Sequence, residues 1–237
     1  MNNSSMEEIA ANLARVQAQI AEAARKSGRS PNEIELVAVS KTHPAEKVRA
    51  AVEAGQLLFG ESRVQEARAK IPLLPSRLRW HFIGHLQKNK IRHALPLFEL
   101  FHGIDSLALA GEMQRIAEEE GMRPRLLLEV NVAGEASKHG FSPEALRRDL
   151  EAALSLGRLT IEGLMTIPPL APEAEASRPC FVALRDLRDQ LETEFNLRLP
   201  QLSMGMSGDF SIAIEEGATL VRVGTAIFGE RSRPKSE

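Results

Sequence analysis

The stretch RLLLEVNVAGEASKHGFSPEALRRDLEAALSLGRLTIEGLM, residues 125–165, carries the clearest strand–helix–strand pattern of the chain. Residues 125–131 and 159–165 are short runs rich in apolar and β-branched residues, which favour strands. Residues 143–156 have the spacing of an amphipathic helix, and Ser142 before a proline is typical of a helix start. A strand, a helix and a second strand in this order predict two parallel strands of one sheet.

The same alternation continues on both sides of this unit. An amphipathic helix is predicted for residues 5–26, and further helices are predicted for residues 107–120 and 174–194. Eight strands are predicted, at residues 33–40, 57–60, 79–84, 100–105, 125–131, 159–165, 201–205 and 219–224. Eight strands with seven intervening helices, and one helix in front, predict an α/β fold: a (β/α)₈ TIM barrel with an additional N-terminal helix. The alternative is an open doubly wound sheet, but no Gly-x-Gly-x-x-Gly follows the first strand.

Composition restricts the class of protein. The 237 residues are 43% hydrophobic and 26% charged, and the formal net charge of -2 gives no basic surface for nucleic acid. No apolar run reaches the roughly 18 residues of a membrane span, and the N-terminus lacks the pattern of a secretory signal. The single cysteine, Cys180, cannot form an internal disulfide, which is typical of a reducing compartment. We therefore expect one domain over residues 1–237, in the cytoplasm, without a nucleic-acid or membrane partner.

The active site of a (β/α)₈ barrel lies at the C-terminal ends of its strands. The predicted strand ends carry Lys41, Glu61, His81, Asp105, Asn131, Met165, Ser207 and Gly224 with Thr225. Lys41 follows Val37 and Val39 on one side of the first strand, so its side chain is expected in the barrel mouth. Partial desolvation there favours the neutral amine, which can form a Schiff base. The alternative is a solvated lysine at a strand end.

Two loops near the end of the chain are candidates for a phosphate site. MGMSGD (204–209) and VGTAIFG (223–229) follow predicted strands seven and eight, the usual phosphate position in such barrels. Both combine glycine with hydroxyl residues, so backbone N–H groups together with Ser207 and Thr225 can bind an anion. Ordinary strand–helix turns have a similar composition, which is the alternative. Met206 lies in the first loop and is a further candidate contact.

Charged and metal-binding side chains give two more expectations. Arg222 is the one charged residue in predicted strand eight, and a buried charge requires a partner. It predicts either an ion pair with a neighbouring carboxylate or a donor to the ring nitrogen of a ligand. The six histidines show no convincing metal spacing, because Gly84 and a loop separate His81 from His85. No metal site is expected.

Eight motifs over most of the chain resemble the pyridoxal phosphate homeostasis protein family. They are LVAVSKTHP (36–44), FGESRVQE (59–66), WHFIGHLQKNK (80–90), IDS (104–106), VN…EASKHG (130–140), GLMTIP (163–168), LSMGMSGDF (202–210) and AIEEGATLVRVGTAIFG (213–229). The resemblance implies a monomeric barrel like the alanine racemase N-terminal domain, with pyridoxal 5′-phosphate (PLP) held as a Schiff base on Lys41. It also implies Arg222 near the pyridine nitrogen, with Ser207, Gly224 and Thr225 around the phosphate. Met206, His81 and Asn131 are additional cofactor-binding candidates.

The resemblance also implies a function. It implies a carrier or regulator in intracellular PLP (vitamin B6) homeostasis, without established catalytic turnover, whose candidate partners are apo PLP-dependent enzymes. One position departs from the family, because Ser62 stands where asparagine is frequent. The contact that the asparagine makes near the cofactor is therefore not expected here.

The alternative is a PLP enzyme, such as an amino-acid racemase. A two-base racemase of the alanine racemase kind needs a lysine on one face of the substrate carbon and a tyrosine on the other, and this sequence has no tyrosine. An arginine at the ring nitrogen also keeps that nitrogen unprotonated, which weakens the ring as an electron sink. No catalytic residue is therefore predicted. A Schiff-base aldolase would share the lysine and the phosphate loops, but it fits the motifs poorly.

Overall fold

Eight parallel strands close into a barrel in chain order, and the last strand pairs with the first. The structure, a computed structural model, describes residues 3–135 and 138–230. The strands are β1 (Glu35–Val39), β2 (Leu58–Glu61), β3 (Arg79–Phe82), β4 (Leu100–Ile104), β5 (Arg125–Glu129), β6 (Thr160–Met165), β7 (Gln201–Ser203) and β8 (Leu220–Val223). Each overlaps one of the predicted strands, although β2 extends one residue beyond its predicted end, and the predicted (β/α)₈ barrel is confirmed.

Nine α-helices are found in the described part of the chain. They are α1 (Asn3–Lys26), α2 (Ala45–Glu53), α3 (Val64–Lys70), α4 (Ile91–Ala94), α5 (Leu107–Glu119), α6 (Pro143–Leu154), α7 (Arg178–Phe195), α8 (Phe210–Glu215) and α9 (Thr225–Phe228). The predicted N-terminal helix α1 packs against α2, α8 and α9, and its apolar stripe of Ile9, Leu13, Val16 and Ile20 is buried. Among the described residues, none of the helices combines the length and apolarity required to cross a bilayer.

The barrel interior is filled in layers. An apolar layer, separate from the core between helices and sheet, consists of Val37, Leu58, Leu100, Leu127, Met165 and Leu220. Nearer the N-terminal ends of the strands, Arg79 and Arg125 form ion pairs with Glu35, Glu99 and Glu162. We call these five side chains the charged ring. Because the charged ring occupies the N-terminal end of the barrel, a ligand site belongs at the opposite, C-terminal mouth.

Candidate functional site

Lys41 lies in a turn two residues beyond the end of β1, so its strand is shorter than the sequence predicts. The next residue, Thr42, has a φ of 67°, which is uncommon for a β-branched residue. The turn stands beside the end of β8, because Ala38 pairs with Val223 in the parallel register. A Cβ atom on Gly224 would lie 3.2 Å from the carbonyl oxygen of Val39, so glycine permits this close approach. Lys41 and the second predicted phosphate loop are therefore neighbours.

A buried network of charged side chains holds the Lys41 turn. The Lys70 Nζ atom donates to the carbonyl oxygen of Ser40 at 2.8 Å, to Glu61 Oε1 at 2.6 Å and to Glu66 Oε1 at 2.9 Å. Glu66 also accepts from the backbone N–H of Thr42, and Glu61 accepts from the Ser40 hydroxyl at 2.7 Å. Burial raises the pKa of Glu61, while Lys70 and Ser40 oppose this rise. Side chains from β2 and α3 thus fix the backbone on both sides of Lys41.

The loops after β7 and β8 meet at the Ser207 hydroxyl. Ser207 Oγ accepts hydrogen bonds from the backbone N–H groups of Gly224 and Ala226, both at 3.3 Å. Thr225, between them, is exposed. An oxygen of a bound anion can replace the hydroxyl as the acceptor for these N–H groups. The structure therefore brings together three of the residues predicted for the phosphate: Ser207, Gly224 and Thr225.

The loop after β7 has a shape set by glycine and a carboxylate. Gly205 has a φ of 91°, and a Cβ atom there would lie 2.6 Å from the Cβ atom of Ala213. Asp209 Oδ1 accepts from the backbone N–H of Met206 at 2.7 Å, and Asp209 Oδ2 accepts from the Ser177 hydroxyl at 2.9 Å. Met206 lines a cavity of about 350 Å³ that extends towards the loop after β6. These contacts fix the shape of the loop after β7.

Arg222 lies inside the barrel, and its hydrogen-bond partners are neutral. It pairs with Val37 in the sheet, so both side chains point inward. The guanidinium donates to Ser203 Oγ at 2.5 Å and to the carbonyl oxygen of Thr166 at 2.9 Å, and no described carboxylate forms a salt bridge with it. Burial lowers the pKa of Arg222 to about 10, so the group remains charged at neutral pH. Since a guanidinium has five N–H donors, it retains capacity for a ligand acceptor.

Two buried histidines continue the hydrogen-bond chain that begins at Arg222. His102 Nδ1 lies 2.8 Å from Ser203 Oγ, and His102 Nε2 lies 3.0 Å from His81 Nδ1. Because Ser203 accepts from Arg222, its own proton is available to His102 Nδ1, and His102 then donates to His81 from Nε2. His81 Nε2 is left protonated, and it has no hydrogen-bond partner among the described residues. His81 therefore lies within the barrel and not at its rim, where the sequence predicts it.

We expect the buried histidines to make the free energy of unfolding fall in mild acid. Burial lowers the pKa of His81 to about 3 and that of His102 well below 6.5, so between about pH 6.5 and pH 3 the unfolded chain binds protons that the folded chain does not. Stability is constant above this range and decreases as the pH falls through it. The expected loss from pH 7 to pH 5 is about 2 kcal/mol for His81, and His102 adds a loss in the same direction.

Urea unfolding at a series of pH values tests this expectation. His102→Gln should show a smaller pH dependence than the wild type by about the contribution of one histidine. The raised pKa values of Glu61 and Glu129 act in the opposite direction, but they are common to both proteins. His93→Gln, at an exposed position, is the control and should behave like the wild type. An identical pH dependence in all three proteins would contradict the prediction.

Asn131 and Ser62 lie at two further points of the mouth. Asn131 Nδ2 donates to the carbonyl oxygen of Glu135 at 2.8 Å, and its Oδ1 accepts from the Glu135 N–H at 3.3 Å. Asn131 therefore stabilises its own loop, and it lines a cavity of about 190 Å³ with Lys138. Ser62 follows β2, and a Cβ atom on Gly84 would lie 2.5 Å from its carbonyl oxygen. Ser62 therefore packs closely against the backbone that follows β3.

The sequence of this chain is similar to those of a known protein family. The sequence matches the family described as alanine racemase, N-terminal domain, over residues 11–232. The pyridoxal phosphate homeostasis protein of Aquifex aeolicus is 46% identical over 220 residues, which cover 92% of this chain and 96% of that protein.

Solved structures with a similar fold include a relative of this chain and a more distant enzyme. PipY of Synechococcus elongatus, solved without PLP and with PLP bound, is 42% identical, with TM-scores of 0.85 and 0.82 over 93% of this chain and 100% of that one. Alanine racemase of Bartonella henselae, with covalently bound pyridoxal phosphate, shares the fold at 15% identity and a TM-score of 0.72, over 95% of this chain and 59% of that one. This chain belongs to the pyridoxal phosphate homeostasis protein family.

Proposed function

We propose that this protein binds PLP at the C-terminal mouth of its barrel and acts in intracellular PLP (vitamin B6) homeostasis as a carrier or regulator. The observation that carries the proposal is the convergence of the Gly224 and Ala226 N–H groups on Ser207, beside the Lys41 turn. The proposal includes residues 1–237 as one PLP-binding unit, a monomer in the cytoplasm, and apo PLP-dependent enzymes as recipients. Membership of the family and the PLP-bound structure of PipY support it.

The residues of the mouth fit PLP. The cofactor has an aldehyde, a phosphate and a ring nitrogen. The mouth offers a different chemical group for each: an amine, a set of N–H and hydroxyl donors, and a guanidinium. Leu220, Arg222 and Gly224 occupy alternate positions along β8 and the residue that follows it, and Leu220 lies in the interior apolar layer. The guanidinium of Arg222 and the backbone N–H group of Gly224 therefore stand two positions apart at the end of β8, as the ring nitrogen and the phosphate of one cofactor require.

Each group has a proposed role. When bound, PLP supplies an aldehyde that forms a covalent bond with a lysine amine, and we assign that amine to Lys41. The hydroxyls of Ser207 and Thr225, with the Gly224 N–H group, bind the phosphate, whose charge at neutral pH is close to two. Arg222 donates to the ring nitrogen. Because Arg222 keeps its proton, it leaves this nitrogen unprotonated.

The three remaining candidates have supporting roles in the proposal. Met206 lines the cavity next to the phosphate loop, and Asn131 shapes the loop after β5. His81 lies at the end of the hydrogen-bond chain from Arg222, so it acts on the cofactor through that residue.

We propose that binding occurs without catalytic turnover. Fold relatives include a PLP enzyme, alanine racemase, so the fold itself permits catalysis. A second acid–base group on the far side of the ring is required for racemisation, and the sequence has no tyrosine to supply it. The unprotonated ring nitrogen further weakens carbanion stabilisation. These two features support a carrier over a racemase.

Thr225→Ala should weaken PLP binding by about tenfold or somewhat more, because a hydrogen bond to a charged group contributes about 1.5–3 kcal/mol. Pyridoxal lacks the phosphate, so the variant and the wild type should bind it equally and weakly. Absorbance titration of both proteins with both ligands measures the four affinities. Thr160→Ala, exposed at the start of β6 and so at the other end of the barrel, is the matched control and should bind PLP normally. If Thr225→Ala weakens pyridoxal as much as PLP, the residue does not contact the phosphate.

A further inference from the structure

Three metal-ligating side chains converge on the side of the mouth opposite to the phosphate loops. His85 follows β3, Asp105 follows β4 and His139 lies in the connection between β5 and α6. Their ligand atoms all lie within 4.8 Å of one another. Asp105 Oδ2 is 3.1 Å from His85 Nδ1 and 3.6 Å from His139 Nδ1. Two imidazoles therefore face a single carboxylate oxygen.

The two imidazole rings lie face to face beside the carboxylate. The rings of His85 and His139 are stacked, with centroids 4.1 Å apart and planes inclined by 17°. Two imidazole nitrogens with one carboxylate oxygen are a donor set that Zn²⁺ and related ions prefer. Ligand atoms around tetrahedral Zn²⁺ lie about 3.3 Å apart, close to the distances observed here.

Asp105 is oriented by a second contact. Its Oδ1 accepts from the Ser106 hydroxyl at 3.0 Å, which leaves Oδ2 for the histidines. The Ser106 side chain in turn caps α5 by accepting from the Leu109 N–H at 3.2 Å. Such outer contacts hold the ligands of metal sites in position. The carboxylate is thus anchored to the start of a rigid helix.

Exposure and ligand number indicate an exchangeable site. The Asp105 side chain is 12% exposed, whereas those of His85 and His139 are 44% and 61% exposed. Three protein ligands leave at least one coordination position open, unlike the four-ligand closed sites that serve only structure. An ion can therefore enter from solvent and accept a further ligand there.

We propose that His85, Asp105 and His139 form a three-ligand site for a divalent transition-metal ion of the Zn²⁺ class. The site lies on the β3–β5 side of the barrel mouth, and it shares no residue with the proposed PLP contacts. The inference does not depend on PLP binding. It differs from the expectation from sequence, which considered the spacing of His81 and His85, because the fold brings together residues from three separate connections.

The test is titration of untagged, chelator-treated protein with Co²⁺, followed by competition with Zn²⁺. We expect one equivalent of Co²⁺ to bind with visible absorption bands, and Zn²⁺ to displace it. Because PLP itself chelates metal ions, the titration is repeated with PLP-free Lys41→Ala protein, and PLP affinity is measured separately. The proposal of a metal site and the proposal of PLP binding can then be rejected independently of each other.

Two substitutions locate the ion. His139→Ala and Asp105→Asn should each lower the Co²⁺ affinity by at least about tenfold. His93→Ala changes an exposed histidine elsewhere and should leave the affinity unchanged, and circular dichroism checks that all variants are folded. The absence of one-equivalent binding in the wild type overturns the proposal. Binding that is equally tight in His139→Ala and Asp105→Asn overturns it as well, since the ion is then held elsewhere.

Discussion

Lys41→Ala should abolish the borohydride-stable PLP adduct of this protein. The wild type, incubated with PLP and then reduced, should carry a phosphopyridoxyl group on the peptide that contains Lys41. The reason is position: the Lys41 turn is adjacent to the end of β8 and to the Gly224 and Ser207 cluster. Peptide mass spectrometry measures the modified fraction at each lysine. The variant should still bind PLP, more weakly, through its phosphate and ring contacts.

Lys138 is the alternative attachment site. It lies across the mouth, where it lines two cavities and forms a salt bridge with Glu135 at 3.1 Å. A stable adduct on Lys138 with Lys41 unmodified would reject the assignment. Lys88→Ala, at an exposed position on the connection between β3 and α4, serves as the control and should be modified like the wild type.

Lys70→Met should lower the free energy of unfolding by about 3–5 kcal/mol, the usual effect of removing one partner from a buried ion pair. Lys70 and Glu61 have side chains 6% and 0% exposed, so the substitution leaves a buried carboxylate without its cation. It also removes the donor to the Ser40 carbonyl. Urea denaturation at pH 7 measures the loss. Arg68→Met, exposed on the same helix, is the matched control and should change stability by less than about 0.5 kcal/mol.

A second measurement separates the effect on the Lys41 turn from the effect on the whole barrel. Lys70 and Glu66 together hold the backbone on both sides of Lys41, so Lys70→Met should also slow adduct formation under conditions where the variant is fully folded. Lys70→Met combined with Glu61→Gln should recover part of the lost stability, because the unpaired carboxylate is then neutral. A Lys70→Met protein as stable as Arg68→Met would show that the network contributes little.

The fold could be predicted because its signals are local. Each strand of a parallel barrel is a short apolar run, and each is followed by a helical pattern, so the eight strands are visible one at a time. The residue at which a strand ends depends less on the local sequence. β1 is predicted to continue to residue 40 but ends at Val39, since the Lys70 network and the positive φ of Thr42 turn the chain there. Lys70 belongs to another element, so the pattern of residues within β1 does not predict where this strand ends.

The site residues that share a local motif can be predicted from the sequence, whereas contacts between distant elements cannot. Glycine and hydroxyl residues at two strand ends pointed to the Ser207 and Gly224 cluster, which the structure assembles. Lys70 was missed, although a signal existed: it follows Val64 and Ala67 at helical spacing on the buried face of α3. Of the two expectations for Arg222, the ion pair is not formed among the described residues. Its neutral partners lie in β7 and just after β6, and spacing within β8 cannot identify them.

The charged ring also bears on how the strands align during folding. It links Arg79 of β3 to Glu35 of β1 and, with Arg125 of β5, forms an alternating sequence of charges through Glu99 to Glu162 of β6. If one strand slips by a single residue, its charged side chain moves to the other face of the sheet. The apolar layer tolerates such an exchange better, because one aliphatic side chain can replace another. The ion pairs form when the strands have the observed stagger, so the charged ring favours this alignment of β1, β3, β5 and β6.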